Sequence, residues 1–157
     1  MRARWKWILS LCVLLLFIQL FQPERTNPAI NPANTIEARL SVPSSVSATL
    51  ASSCNDCHSN ATVWPWYSHI APASWLIASD VNRGRAELNF SEWNSYPAEK
   101  QPEMLKEICS EVTNREMPQF TYLFFHPSAK LTRANVGAIC DWTKALNHVA
   151  PALPENE

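Results

Sequence analysis

The chain has 157 residues, 46% of them hydrophobic, and a formal net charge of −1, which excludes a disordered chain and, once the N-terminal segment is set aside, leaves one small domain. Charge is uneven: residues 1–42 carry five Lys/Arg against two Glu, whereas residues 43–157 carry eight Lys/Arg against twelve Asp/Glu. That acidic balance, with no Arg-rich helix, excludes a nucleic-acid partner. Only two glycines, twelve prolines and no alternating β-branched runs predict short helices joined by stiff loops, an all-α class.

In chain order, Arg2, Arg4 and Lys6 precede an apolar run from Trp7 to Phe21. A basic start before an apolar stretch is how an export signal begins. The run ends in Leu20, Phe21, Gln22 and Pro23, without a small-x-small cleavage site. It is therefore expected to be an uncleaved signal anchor over residues 1–22, crossing the membrane through residues 7–21. By its basic flank, the rest of the chain is expected outside the cytoplasmic membrane, on the periplasmic side. Residues 23–42, with Pro23, Pro28 and Pro32, read as an extended tether. The folded domain is expected over 43–150, with a tail over 151–157.

Within that domain Ser41 is expected to cap a first helix carrying Val46 and Leu50 on one face. Trp64-Pro65-Trp66-Tyr67 reads as a stiff aromatic loop. Pro72 opens a second helix that Gly84 is expected to terminate. Ser91 and Glu92 start a short helical turn. Pro97 or Pro102 opens a helix with Leu105, Ile108 and Val112 at helical spacing. Pro118 and Pro127 bracket an irregular aromatic stretch from Phe120 to Phe125. Thr132 caps a last helix with Val136, Ile139, Cys140, Thr143 and Leu146 on one face.

The chemistry sits in Cys54-Asn55-Asp56-Cys57-His58, the C-x-x-C-H pattern of haem attachment. On one helical turn the two thiols reach the two vinyl groups along one porphyrin edge, and the adjacent imidazole reaches the iron. Two other readings compete. A structural zinc site needs four ligands, usually a second paired motif, and Cys109 and Cys140 are single and far apart. A redox dithiol sits between a strand and a helix, and no such pattern is visible. Haem c, one group held by Cys54 and Cys57 with His58 as proximal ligand, is the preferred reading, and it agrees with export.

The sixth iron ligand is expected from His69, Met104, Met117, His126 or His148. Met117, followed by Pro118 on a non-helical strap, is favoured; gap-filling in the core is the ordinary use of a Met, and an open sixth position is the other outcome. Cys109 and Cys140, both on predicted helices, are expected to form a disulfide bridging the last two helices in an oxidising compartment. Two buried free thiols are the alternative. Trp64, Trp66, Tyr67, Trp75 and Trp93 serve equally as haem walls or as core. Arg83 and Arg85 are read as a solvated helix end in preference to partners of the haem propionates.

Beyond the motif, several stretches resemble the bacterial haem-binding domain family of c-type haem proteins. They include Cys54–Asn60, Trp64–Tyr67, Ile70–Pro72, Ser74–Leu76, Leu88–Trp93, Glu116–Pro118, His126-Pro127 and Ile139–Trp142. The resemblance covers roughly residues 26–146. It implies a single covalent haem in a small cytochrome c-like helical domain, with His58 proximal and Met117 distal. Two filled axial positions suit a one-electron carrier serving redox partner proteins beside the membrane. A haem-based sensor or small-ligand module needs an open or labile sixth position. An enzyme is not expected, since there is one attachment motif and no distal His-Arg pair.

Overall fold

The structure, a computed structural model, describes residues 2–149; the tail expected over 151–157 lies outside them. Among the described residues there are eight helices and no strand, as the all-α reading requires. They are α1 (Arg2–Ile18), α2 (Ile36–Arg39), α3 (Ser44–Ser53), α4 (Asn55–His58), α5 (Ala73–Glu87), α6 (Gln101–Asn114), α7 (Phe120–Phe125) and α8 (Arg133–Val149), joined in places by short 3-10 turns.

The core lies where α3, α6 and α8 meet. Leu105, Ile108 and Val112 fall at helical spacing along α6 and are all buried, which is the pattern an amphipathic helix needs. Facing them, Ile139, Cys140, Trp142 and Thr143 of α8 are buried. Thr132 and Asn135 cap α8 reciprocally: the Asn135 N–H donates to Thr132 Oγ1 at 3.2 Å, and the Thr132 N–H to Asn135 Oδ1 at 2.9 Å. Cys109 and Cys140 are joined as a disulfide, 31 residues apart in sequence. A loop of that length gives about 3–4 kcal/mol of stabilisation in the chain-entropy account.

Four expectations about local structure are corrected. First, α3 starts at Ser44, one residue after Pro43. Ser41 does not cap it; its carbonyl instead accepts the Trp142 indole N–H at 3.0 Å.

Second, residues 23–42 are not an extended tether. Asn31 and Thr35 cap two short helical turns, and Ile36 is fully buried in the core. Asn27 donates to the Thr62 carbonyl at 2.9 Å, and Arg85 donates to the Thr26 carbonyl at 2.9 Å. Burying one isoleucine and satisfying the polar groups around it is enough to fold a proline-rich strap onto a domain.

Third, α5 does not stop at Gly84 but runs on to Glu87. Fourth, the aromatic stretch 120–125 is a helix, α7, and not irregular.

The N-terminal run forms α1, which stays helical only to Ile18. Among the described residues, no helix is long and apolar enough to cross a membrane.

Candidate functional site

The site is built around α4, a single helical turn. Cys54 stands at its N-cap and Cys57 lies within it, three residues on, so their thiols share a face. His58 follows directly. Its Nδ1 lies 2.9 Å from the Leu88 carbonyl at the C-terminus of α5. A carbonyl only accepts, so Nδ1 carries the proton and Nε2 is left with its lone pair free. This is the tautomer a metal-ligating imidazole needs, set by its second hydrogen bond.

That carbonyl is itself held in place. Asn89 donates to Asn60 Oδ1 at 2.8 Å, the Asn60 N–H donates to Ser91 Oγ at 3.0 Å, and the Asn89 N–H donates to the Tyr96 hydroxyl at 2.8 Å. The loop after His58 and the turn after Leu88 are thus locked together.

Gly84 explains how α5 comes so close. A Cβ at this position would lie 2.6 Å from the Cys57 carbonyl oxygen and 3.0 Å from its carbonyl carbon. Only a residue without a side chain lets the two backbones pack at this distance. The role of Gly84 is close approach behind the cysteine turn and not helix termination.

Beside α4 opens a cavity of about 450 Å³, within the usual range of cofactor pockets. Cys54, Cys57 and His58 line it, and so do Met117 and His126. Of the sixth-ligand candidates, these two alone reach it among the described side chains. Met104 packs against the core, His69 is exposed on the surface away from the cavity lining, and the His148 side chain lies outside the described residues. His126 is engaged at both ring nitrogens: Nδ1 donates to the Tyr122 carbonyl and Nε2 accepts from the Tyr67 hydroxyl, each at 3.2 Å. Met117 lines the same cavity.

The aromatic wall is not the one the tryptophans suggested. Trp93 is fully buried in the core, Trp66 and Trp75 face outward, and Trp64 donates to Asn27. Of the five aromatics, only Tyr67 lines the cavity, joined there by Phe120, Tyr122, Phe124 and Phe125 of α7. Tyr67 stacks on Phe125 with ring centres 4.7 Å apart, and Tyr122 on His126 at 4.2 Å.

Asp56, between the two cysteines, ties this wall to α4. Its Oδ2 accepts the Tyr122 hydroxyl at 2.8 Å and its Oδ1 the Val63 N–H at 2.9 Å. Burial, then the bond to Asp56, push the Tyr122 phenol well above its ordinary range. It is therefore a fixed donor. Arg85 is no solvated helix end either: it donates to the Ser59 carbonyl at 2.8 Å and to Thr62 Oγ1 at 2.8 Å. It clamps the loop after the motif.

The thiols themselves are held protonated. Burial, then the neighbouring Cys57, push Cys54 up to about 12, and burial followed by Asp56 and Asp80 pushes Cys57 up to about 11. A dithiol poised for exchange has the opposite shift, toward the thiolate. Among the described residues no group of three His, Cys, Asp or Glu could hold a metal ion by itself. Neither observation favours the competing readings of C-x-x-C-H, while two neighbouring thiols, an oriented imidazole and an aromatic cavity fit a haem.

A family model for a haem-binding domain matches residues 13–145. No curated protein and no solved structure matches the chain.

Proposed function

This chain belongs to the haem-binding domain family, and from that premise we propose that it is a c-type haem protein that carries single electrons beside a membrane. The observation that carries the reading is the His58 Nδ1–H bond to Leu88, made on the same turn that brings both thiols to one cavity. One haem is held by thioethers at Cys54 and Cys57. His58 Nε2 is the proximal ligand, and the Leu88 carbonyl keeps that imidazole in the ligating tautomer and orientation. Met117 supplies its thioether as the distal ligand. The haem when bound supplies a ferric/ferrous couple, and His/Met ligation places it toward the higher end of potential. Phe120, Phe124 and Phe125 keep water away from it.

In this reading the protein is not an enzyme, because His58 and Met117 would both hold the iron and leave it no place for a substrate. Its partners are redox proteins at the same membrane. The attachment to that membrane is α1, whose apolar side chains from Trp7 onward are all exposed along the described helix up to Phe17. Because α1 is short for a full crossing, the bilayer thins around it; the basic residues before Trp7 stay on the cytoplasmic side and the haem domain lies on the periplasmic side.

The test is an optical spectrum of the full chain matured with cytochrome c assembly factors, beside a Met117→Ala variant. A weak sulfur-to-iron band at the red end of the oxidised spectrum is expected in the wild type and absent from the variant. A high-spin wild-type spectrum, or ready uptake of carbon monoxide, overturns Met117 ligation and favours a sensor with an open sixth position. Absence of any covalent haem overturns the c-type assignment.

A further inference from the structure

The anchor and the haem domain are not separated by a spacer. Gln19, one residue past the end of α1, grips the start of α5's segment with both ends of its amide. Its Nε2 donates to the Ala71 carbonyl at 3.0 Å, and the Ala71 N–H donates to its Oε1 at 2.9 Å. The Trp75 indole N–H donates to the Phe21 carbonyl. These three bonds fix the direction in which α1 leaves the domain.

The surface at this junction is apolar. Between Asp56 and Asp80 the chain has no Asp, Glu, Lys or Arg at all. Ile70, Trp75 and Leu76 flank the clamp and are exposed by 47%, 40% and 53%, and Trp66, on the turn that packs against α5, by 75%. Haem does not account for Trp66, Ile70 and Trp75, which lie outside the cavity lining; Leu76 lies on its lip.

What covers such a patch is indicated by what leaves it. In α1, Ile8, Leu9, Leu11 and the unbroken run Val13–Phe17 are exposed on every face of the helix. A protein groove takes one face of a helix, whereas lipid takes all of them. The patch continues directly from that helix, and tryptophans at its edge are the residues that settle at headgroup depth.

We propose that the haem domain lies down on the bilayer through Trp66, Ile70, Trp75 and Leu76, with the lip of the cavity at the lipid surface. This rests on α1 being the membrane attachment. The occupant is the interfacial layer of a lipid bilayer. The clamp at Gln19 and Trp75 holds the domain in that pose, where a free tether would let it turn.

The experiment is collision-accessibility EPR on the full-length haem protein in phosphatidylcholine vesicles, with the iron reduced and Cys12→Ser removing the free thiol of α1. Nitroxides are placed one at a time at Leu14→Cys, Ile70→Cys, Trp66→Cys and, as an aqueous reference, Glu107→Cys on α6. Oxygen is expected to relax the labels at positions 14, 70 and 66 more than a water-soluble nickel chelate does, with the ratio reversed at position 107. Lipid contact at 14 with water contact at 70 and 66 overturns the docked pose and leaves α1 as an anchor. Water contact at 14 overturns the anchor, and the pose with it.

Discussion

The two halves of this domain are held together by different means. Where α3, α6 and α8 meet, the contacts are apolar, buried and stapled by the Cys109–Cys140 disulfide. Around the cavity, α7 is joined to the rest chiefly by side-chain bonds at its polar groups, Tyr122 to Asp56 and His126 to Tyr67, while Phe120, Phe124 and Phe125 stay largely exposed. The first half closes on itself. The second is a wall of aromatic side chains along the 450 Å³ cavity. Stability is concentrated in the half that does no chemistry, which lets the other half be shaped for its occupant.

The staple is the place to break that comparison hardest. Replacing both cysteines, Cys109→Ala with Cys140→Ala, is expected to remove about 3–4 kcal/mol of stability. The loss should be the same with and without haem, read from urea midpoints of the two forms. The visible spectrum of the folded holoprotein should not change. A shift in the spectrum would mean that the two halves are coupled and that the division drawn above is wrong.

Gly84→Ala attacks the other half. The new methyl meets the backbone of Cys57, which cannot swing aside as a side chain would. An overpacked site of this kind costs about 1–3 kcal/mol, here by separating α4 from α5. The yield of covalent haem per folded protein should fall with it, since the thiols and the Leu88 carbonyl are set by the same contact. A haemochrome assay on protein of known fold content measures this. An unchanged yield would show that the approach of α5 does not set the attachment geometry.

How far the sequence foretold this division follows from the kind of signal each half carries. The core helices are written locally: Leu105, Ile108 and Val112 repeat at helical spacing, and Thr132 with Asn135 caps α8. Cys54, Cys57 and His58 are likewise adjacent in the chain, so their meeting needs no tertiary information. The rest of the cavity is made by pairs far apart in sequence. Asp56 and Tyr122 are 66 residues apart and His58 and Leu88 are 30 apart, and nothing in either segment announces the other. Gly84 was misread because a helix-ending glycine and a glycine of close approach look alike without the opposing backbone. The tether was misread because its prolines outvoted a single buried isoleucine, Ile36, whose partners come from elsewhere. Trp93 and Tyr67 carried the same aromatic signal, and only packing sent one to the core and the other to the cavity.

The smallest expected effect sharpens the comparison chemically, because it belongs to the cavity half alone and to its unfilled form. In the protein without haem, Cys54 and Cys57 are free thiols whose ionisation is pushed up from the ordinary 9.0 to about 12 and about 11, chiefly by burial. Below pH 9 both the folded and the unfolded chain keep these thiols protonated, so their contribution to stability is constant. Above it the unfolded chain releases the protons and the folded chain does not, so the unfolded state is favoured and stability falls as pH rises toward the folded values. On the proposed covalent attachment, the same sulfurs in the haem-loaded protein would be thioethers and titrate in neither state. The urea midpoint of the unfilled protein should therefore drop between pH 8 and 10 by more than that of the filled one. The comparison is cleanest near pH 9.5, before Tyr67 and Tyr122, whose phenols are also pushed up, begin to ionise in the unfolded chains of both forms. Parallel curves would mean either that the thiols are not buried in the unfilled protein or that they are not the atoms that take the haem. Iodoacetamide labelling of the unfilled, folded protein separates the two: buried thiols label slowly, and exposed ones at the rate of a free cysteine.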